Sequence, residues 1–264
     1  MMNKELTMAS VNIALAITVG ALLSPSAQAS TIIGGSTLLN SASLTQLEGW
    51  LGEGQLDLTN IFTKQKGSAS TDFHAAADGK GRTFSLMQVS GTKTLTDGTT
   101  INFSNVVGGY NPQSWNSKTV NSVGSYNLVP NPSQRTAFIF NITDNALFRE
   151  DHGPDNHGDN GSYQTFNDPS YGPTFGNGYD LFSNHSLTFG FTRTIAYTND
   201  MPPDKFGLLF GSDIPLGFII GDLEVFTISP SEEVSSVPLP AALPLMSSAL
   251  GLFGLGAMRR RNKS

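Results

Sequence analysis

The sequence predicts a mainly β protein, a two-layer antiparallel β-sandwich with a few short helices, placed between two segments that are typical of export. Three observations lead to this prediction. Short apolar runs separated by turn residues recur between residues 83 and 228. Helix-like periodicity is confined to the region before residue 80. Apolar segments stand near both ends of the chain, and a basic cluster follows the C-terminal one.

The first 29 residues are typical of a secretory signal peptide. Lys4 opens a weakly basic start, and residues 11–23 form an apolar segment that is too short for a stable membrane span. Ala27 and Ala29 provide the small-x-small pattern that signal peptidase cleaves. We therefore expect an exported protein whose mature chain begins at Ser30, and an uncleaved anchor is the alternative interpretation.

Two short helices are predicted ahead of the strands. Residues 43–52 place Ser43 and Gln46 at capping-box spacing, with leucines along one face. Residues 71–79 predict a second helical segment, and each segment ends at a glycine. The apolar patch at residues 56–62 between them is compatible with either a helix or a strand.

A hairpin follows the helices. Residues 83–89 are rich in β-forming side chains, and residues 100–103 form a second short run of this kind. The pair Asp97-Gly98 between them is a strong signal for a tight turn. The sequence therefore predicts two adjacent antiparallel strands here.

Three further strands differ in how many faces they should bury. Residues 135–142 and 217–228 carry consecutive apolar side chains, which is typical of strands covered on both faces. Residues 187–192 alternate between large apolar residues and glycine or threonine. That strand should bury one face, with its leucine and two phenylalanines on the buried side.

The last 28 residues predict the topology of the chain. A polar linker at residues 229–236 precedes the uncharged run 243–258, which approaches the thickness of a bilayer as a helix when it is extended back to Val237. The cluster Arg259, Arg260 and Arg261 should stay on the cytoplasmic side. A buried C-terminal helix of a soluble domain is the alternative interpretation.

The tail resembles the bacterial PEP-CTERM sorting signal, which combines a short proline motif, one membrane span and an arginine-rich end. The motif here reads Val237-Pro238-Leu239-Pro240-Ala241, with Leu239 where glutamate is usual. The resemblance implies an exosortase-type processing enzyme as partner and transient insertion into the inner membrane. It also implies delivery to the cell surface or the extracellular exopolysaccharide.

Composition limits the partners of the exported part. Removing Lys4 and four tail cations from 15 basic residues leaves 10, and removing Glu5 from 21 acidic residues leaves 20. A net charge near −10 argues against nucleic acid as a partner, because binding phosphates needs a basic surface. The chain has no cysteine, which excludes thiol catalysis and thiolate metal sites.

Six sequence blocks, taken in chain order, resemble the TLDc domain family. The blocks are residues 50–52 (Trp-Leu-Gly), 73–84 (beginning Phe-His), 108–115 (Gly-Gly-Tyr to Trp), 137–142, 173–181 and 223–226. The resemblance implies a domain at residues 30–228 with two antiparallel sheets and flanking helices. The family is best known for links to oxidative-stress resistance and to the eukaryotic vacuolar proton pump. It supplies no catalytic residues, so none are assigned.

The sharpest candidate site is a metal site in the loop at residues 150–161. Asp151, Asp155 and Asp159 recur every four residues among glycine and asparagine, which suits the oxygen ligands of Ca²⁺. Two histidines in the same loop would instead suit a transition metal. A solvated turn without metal is the third interpretation. No other cofactor is expected.

Other polar and glycine residues have structural interpretations. His74 is expected to be packed and hydrogen-bonded rather than a catalytic base, and Glu224 to be a buried carboxylate paired with an arginine. Gly176 and Gly178 should supply positive φ or close backbone approach. The tyrosines and tryptophans have two interpretations, stacking on sugars or packing in the core. The residues concerned include Tyr110, Trp115, Tyr163, Tyr171 and Tyr179.

Together these features predict an exported surface or extracellular-matrix protein with a non-enzymatic domain. The alternative is a carbohydrate-binding module of exopolysaccharide, assisted by calcium if the acidic loop binds it. A hydrolase acting on matrix or cell-wall polymer is the third hypothesis, although the sequence shows no acid–base pair.

Overall fold

The computed structural model describes residues 29–95, 97–117, 125–151, 160–193, 195–197 and 215–231. The predicted signal segment up to residue 28 and the sorting tail at residues 237–264 lie outside these ranges. So does most of the predicted linker. Among the described residues, no helix is both long enough and apolar enough to cross a membrane.

The described part of the chain is mainly β, as predicted, with eleven strands and two α-helices. Strands β1 to β11 are Thr31–Ile33, Leu56–Thr63, Thr83–Thr94, Thr100–Asn111, Tyr126–Leu128, Phe138–Asn141, Ala146–Arg149, Tyr163–Phe166, Leu181–Ser183, Phe189–Thr192 and Leu216–Pro230. Helices α1 and α2 are Ser41–Leu51 and Ser70–Ala77.

The arrangement of the sheets differs from the predicted sandwich of two antiparallel sheets. Nine strands join one sheet in the order β1-β2-β11-β3-β4-β6-β7, and β10 and then β9 continue from β11. Only β5 and β8 form a second sheet within the described ranges. The pairing of β1 with β2 is parallel, because the long segment that contains α1 separates these strands.

Strand β11 is the reason that one sheet contains so many strands. Its first residues pair with β10 and its last residues pair with β2, while β3 pairs along the opposite edge. An irregularity between Ile220 and Leu223 shifts the register with β3. One strand therefore joins two groups of strands that would otherwise form separate sheets.

A hydrophobic cluster covers each face of the large sheet. On one face, Leu44 and Leu47 of α1 join Phe84 and Phe140 of the sheet, and all four are buried. On the other face, Phe73 of α2 meets the edge of Trp115 at 5.3 Å between ring centroids. Full burial of such side chains contributes about 1.5–3 kcal/mol each. The two helices thus shield opposite faces of the sheet.

Helix α1 begins earlier than predicted, because its cap is Asn40. The Asn40 side chain accepts hydrogen bonds from the backbone N–H groups of Ala42 and Ser43, each at 3.0 Å. Ser43 Oγ accepts in return from the Asn40 N–H at 2.8 Å. Ser43 is therefore the third helical residue of the capping box rather than its cap. The helix ends at Gly52 as predicted, with φ of +75°.

The second predicted helix is α2, and the unassigned patch before it is strand β2. The Asp72 carboxylate accepts a hydrogen bond at 2.8 Å from the N–H of Ala69, which stabilises the start of the helix. The backbone turns away after Ala77, and Gly79 follows with φ of +70°. Both predicted helices are thus present, each beginning slightly earlier than expected.

The predicted hairpin is confirmed as β3 and β4, whose residues pair in continuous register from Thr83–Asn111 to Thr94–Thr100. The turn contains Gly98 at φ of +82°. Farther along β4, Gly108 and Gly109 leave no room for side chains. A Cβ on Gly108 would lie 2.1 Å from the Ser85 carbonyl oxygen.

The burial predictions hold for β6 and for the second half of β11, but not for β10. All four residues of β6 are buried, and so are residues 223–226 of β11. Leu187, which precedes β10, is buried as predicted, but in β10 itself the buried positions are Gly190 and Thr192, whereas Phe189 is 42% exposed. The alternation is inverted because Phe218 and the backbone of Phe182 lie against Gly190, within 2.4 Å of a Cβ placed there.

Two glycine-to-alanine changes should have opposite effects on stability. Gly109→Ala would place a Cβ 2.5 Å from the Phe175 ring and should cost about 1–3 kcal/mol. Gly49→Ala, on the open side of α1, should stabilise by up to about 1 kcal/mol because alanine favours helix. Urea unfolding curves of both variants and the wild type measure this. Equal stabilities would contradict the packing described here.

Candidate functional site

His74 lies at the centre of a polar cluster on α2, beside a cleft of about 350 Å³. Its Nδ1 is 2.8 Å from an Asp78 carboxylate oxygen, one helical turn away. Its Nε2 is 3.1 Å from the carbonyl oxygens of both Asp168 and Tyr171. His74 is 3% exposed, and each of its ring nitrogens lies within 3.1 Å of an acceptor oxygen. His74 is the packed, hydrogen-bonded histidine that the sequence predicts.

The groups around His74 do not form a nucleophile and base pair. Ser117 donates its hydroxyl hydrogen to Asp78 rather than to the imidazole. Since the second imidazole nitrogen lies against two backbone carbonyls, it has no free lone pair to accept a proton from a substrate. This cluster holds the loop at residues 168–171 against α2.

Ser70 makes the second contact between α2 and that loop. Its hydroxyl lies 2.7 Å from Nδ1 of His185 and also contacts the carbonyl oxygen of Pro169. Ser70 is fully buried, so its oxygen cannot reach a bound substrate. A cleft of about 390 Å³ adjoins His185, with Lys64 and Lys66 among its lining residues. The Lys64 ammonium is already bound to the carbonyls of residues 220 and 221.

Two buried carboxylates have a raised pKa, and the first is Glu150, which directly follows β7. One of its oxygens accepts hydrogen bonds from the Ala137 N–H at 3.1 Å and from Gln164 Nε2 at 2.9 Å. The other oxygen has no hydrogen-bond partner among the described residues. Burial raises the pKa of Glu150 to about 8, against the opposite effects of Gln164, Ala137 and Arg135.

The second buried carboxylate is Asp180, which directly precedes β9. Its Oδ1 accepts hydrogen bonds from three consecutive backbone N–H groups, those of Ile195, Ala196 and Tyr197, at 2.6, 2.9 and 3.2 Å. Its Oδ2 lies against Gly176, where a Cβ would come within 2.0 Å. Burial raises the pKa of Asp180 to about 7, although the three amide donors favour the ionised form.

The glycines before Asp180 serve the backbone, as predicted. Gly176 and Gly178 have φ of +83° and +78°. A Cβ on Gly178 would lie 1.9 Å from the Arg193 guanidinium, so close approach adds to the conformational requirement. Tyr179 also has a positive φ, +73°, which is unfavourable for an aromatic residue. The backbone of this short loop is therefore strained at Tyr179.

Seven aromatic rings from distant parts of the sequence meet around Tyr179. We name them the aromatic cluster, and its members are Tyr126, Tyr163, Phe166, Tyr171, Tyr179, Phe182 and Phe191. The Tyr179 ring stacks on Phe182 at 5.4 Å and lies 5.6 Å from Tyr171. Phe166 and Phe182 are buried, whereas the other five rings are partly exposed.

The structure divides the aromatic residues that the sequence suggested for sugar stacking. Tyr163, Tyr171 and Tyr179 come together in the aromatic cluster. Tyr110 and Trp115 are buried elsewhere, and Trp115 Nε1 donates to the Thr83 hydroxyl at 2.8 Å. Sequence reasoning missed Tyr126, because nothing local relates β5 to the loop at residues 171–179.

Comparison with known families decides the identity of this domain. Residues 32–229 match the TLDc domain family, which covers most of the chain. The chain belongs to the TLDc domain family. A search of curated proteins found no match to the chain as a whole or in part.

Other predicted sites of this TLDc protein have mixed outcomes. Glu224 is 1% exposed, but its carboxylate accepts from Ser36 and from the backbone and hydroxyl of Thr37 rather than from an arginine. Asp155 and Asp159 of the predicted calcium loop lie outside the described residues. Throughout the described ranges, no three histidine, aspartate or glutamate residues are grouped so that they could hold a metal.

The backbone of Asp151, the first residue of the predicted calcium set, is engaged in the TLDc domain. Its carbonyl accepts from Arg135 Nη1 at 2.7 Å, and its N–H donates to the Ala196 carbonyl at 2.9 Å. Ala29, the last residue of the predicted cleavage pattern, lies at the edge of the described chain, two residues before β1.

Replacing Glu150 should change how stability depends on pH. Because the folded-state pKa of about 8 exceeds the ordinary 4.5, the folded state holds this proton more tightly. The resulting stabilisation is complete below the ordinary pKa and disappears as the pH rises through about 8. A folded-state pKa that is higher by one contributes about 1.4 kcal/mol to the free energy of unfolding. Glu150→Gln should therefore lose less stability than the wild type between about pH 5 and pH 9.

Thermal unfolding across that pH range measures the difference. Glu53→Gln, at a carboxylate that is 42% exposed and paired with Arg82, is the matched control. Parallel profiles for the wild type and Glu150→Gln would show that Glu150 does not titrate between the folded and unfolded states in this window.

Proposed function

We propose that this protein is exported to the cell surface or extracellular matrix, where its TLDc domain binds a partner and does not catalyse a reaction. One observation supports the non-enzymatic part above all. Beside the two clefts, both ring nitrogens of His74, the buried hydroxyl of Ser70 and Nδ1 of His185 have hydrogen-bond partners within the protein. Acid–base or nucleophilic catalysis needs such atoms free to reach a substrate.

Export is supported by the two terminal segments. The N-terminal segment ends in the Ala27 to Ala29 cleavage pattern, and the C-terminal segment combines the Val237 to Ala241 motif with a terminal arginine cluster. In this proposal an exosortase-type enzyme processes the tail after it has held the protein in the inner membrane. The TLDc domain then remains on the outer side.

A carbohydrate-binding module of exopolysaccharide is the second candidate function. The observation that favours it is the convergence of four tyrosines in the aromatic cluster, since partly exposed rings offer flat apolar faces with polar hydroxyl groups. A hydrolase acting on matrix or cell-wall polymer is the third candidate. Release of soluble products from isolated exopolysaccharide by the purified protein would favour the hydrolase over both binding functions.

The mass of the mature protein tests the export proposal. We expect the chain recovered from the cell surface or medium to begin at Ser30 and to lack the residues beyond the 237–241 motif. Intact-mass spectrometry of membrane and medium fractions measures both ends. Arg259, Arg260 and Arg261 replaced together by glutamine should reduce surface delivery. Recovery solely as an uncut chain in the inner membrane would contradict sorting and processing.

The calcium-assisted form of the second candidate makes a separate prediction. Calcium should raise the melting temperature of the purified chain, because ligand binding to the folded state alone stabilises it. Asp155→Ala should abolish the increase, whereas Asp97→Ala, in the exposed β3–β4 turn, should preserve it. If calcium leaves the melting temperature of the wild type unchanged, the loop does not bind calcium.

A further inference from the structure

We propose that the partly exposed rings of the aromatic cluster form a binding surface for a neutral polysaccharide. This inference rests on the proposed extracellular binding function and names its site and ligand class. The rings that would contact the ligand are Tyr126, Tyr163, Tyr171, Tyr179 and Phe191. The buried rings of Phe166 and Phe182 support them from beneath.

The rings form a continuous series rather than isolated contacts. Tyr163 meets Tyr126 at 4.9 Å, and Phe166 connects Tyr126 at 4.8 Å with Tyr179 at 5.3 Å. Phe191 follows at 6.3 Å from Tyr179. A series of this length exceeds one sugar ring, so it suits a polymer that contacts several rings at once. Such rings lose little side-chain entropy when a ligand binds, because each has only two side-chain torsions.

Polar groups lie at the centre of this series. Burial raises the pKa of Tyr179, and the neighbouring Tyr171 hydroxyl and Asp168 carboxylate raise it further. These groups therefore lie close enough to interact, and they place donors and acceptors beside apolar ring faces. A sugar ring presents the same combination, with apolar C–H faces and hydroxyl groups at its edge. The surface thus complements a sugar in both respects.

The charge around the cluster favours a neutral polymer over an anionic one. Asp168 lies near Tyr179, and the exported part of the chain is strongly acidic. The partly exposed Arg193 interacts with Tyr126, but its guanidinium packs against Gly178 and its Nε is buried. An anionic polysaccharide would therefore meet the Asp168 carboxylate and a strongly acidic domain, both of which repel it.

The backbone at Tyr179 indicates that the position of this ring is maintained at a cost in stability. Its φ of +73° is unfavourable for any residue other than glycine. The hydrogen bonds from residues 195–197 to Asp180 and the packing of Arg193 against Gly178 hold the loop in this conformation. A glycine at this position would relieve the strain, yet the chain carries a tyrosine in the middle of the cluster.

The decisive variant is Tyr179→Gly in the full-length purified chain. Glycine adopts positive φ without strain, which offsets part of the packing lost with the ring, so urea unfolding should show a folded variant that lacks the central ring. The wild type should migrate more slowly in native gels that contain a neutral polysaccharide than in gels without it. Dextran, xylan and laminarin are the polysaccharides to be tested. Tyr179→Gly should weaken that retardation at least about tenfold in apparent Kd.

Two controls separate the ring from other effects. Tyr179→Phe should retain most binding if stacking dominates, and Ile101→Ala, at an exposed apolar residue of β4, should bind like the wild type. No retardation of the wild type by any probe, or equal retardation of Tyr179→Gly, would overturn the proposal. Self-association of the wild type that Tyr179→Gly removes, without polysaccharide binding, would identify a protein interface and also overturn it.

The binding experiment and the mass measurement test separate proposals, so either proposal can be contradicted without the other. A protein that is processed and exported but is not retarded by any polysaccharide contradicts only the ligand assignment. A protein that binds dextran, xylan or laminarin through Tyr179 but remains unprocessed in the inner membrane contradicts the proposed sorting and keeps the binding surface.

Discussion

The pairing of β11 on both of its edges is the constraint on which the described fold depends. This strand hydrogen-bonds β3 along one edge and both β10 and β2 along the other. Its residues 223–226 are buried on both faces, because the two hydrophobic clusters meet the sheet from opposite sides. A change that disrupts β11 would therefore separate β9 and β10, which carry two rings of the aromatic cluster, from the rest of the sheet.

A buried polar network connects this sheet to the proposed binding surface. Gln164 on β8 accepts from Gln113 at 3.0 Å, donates to Glu150 at 2.9 Å and accepts from the Tyr197 hydroxyl at its carbonyl, at 2.7 Å. Hydrogen bonds in such a low-dielectric interior strengthen one another and allow few alternative arrangements. Since Asp180 holds the same segment as Tyr197, the network fixes the loop that presents Tyr179.

Helix α2 contributes to the same surface from the other side. His74 and Ser70 hold the carbonyls of the loop at residues 168–171, and that loop carries Tyr171 into the aromatic cluster. The groups that resemble catalytic residues in the sequence thus position a backbone segment. This arrangement supports the proposed binding function rather than catalysis.

Local structure could be predicted from the amino-acid sequence: both helices, the β3–β4 hairpin at Asp97-Gly98, the doubly buried β6 and the need for glycine at residues 176 and 178. Each depends on interactions within a few residues or on a short apolar pattern. The sequence did not show that β11 joins one large sheet, that Glu224 pairs with hydroxyl and amide groups, or that four tyrosines meet. Those outcomes depend on contacts between residues far apart in the chain, and periodicity carries no information about such contacts.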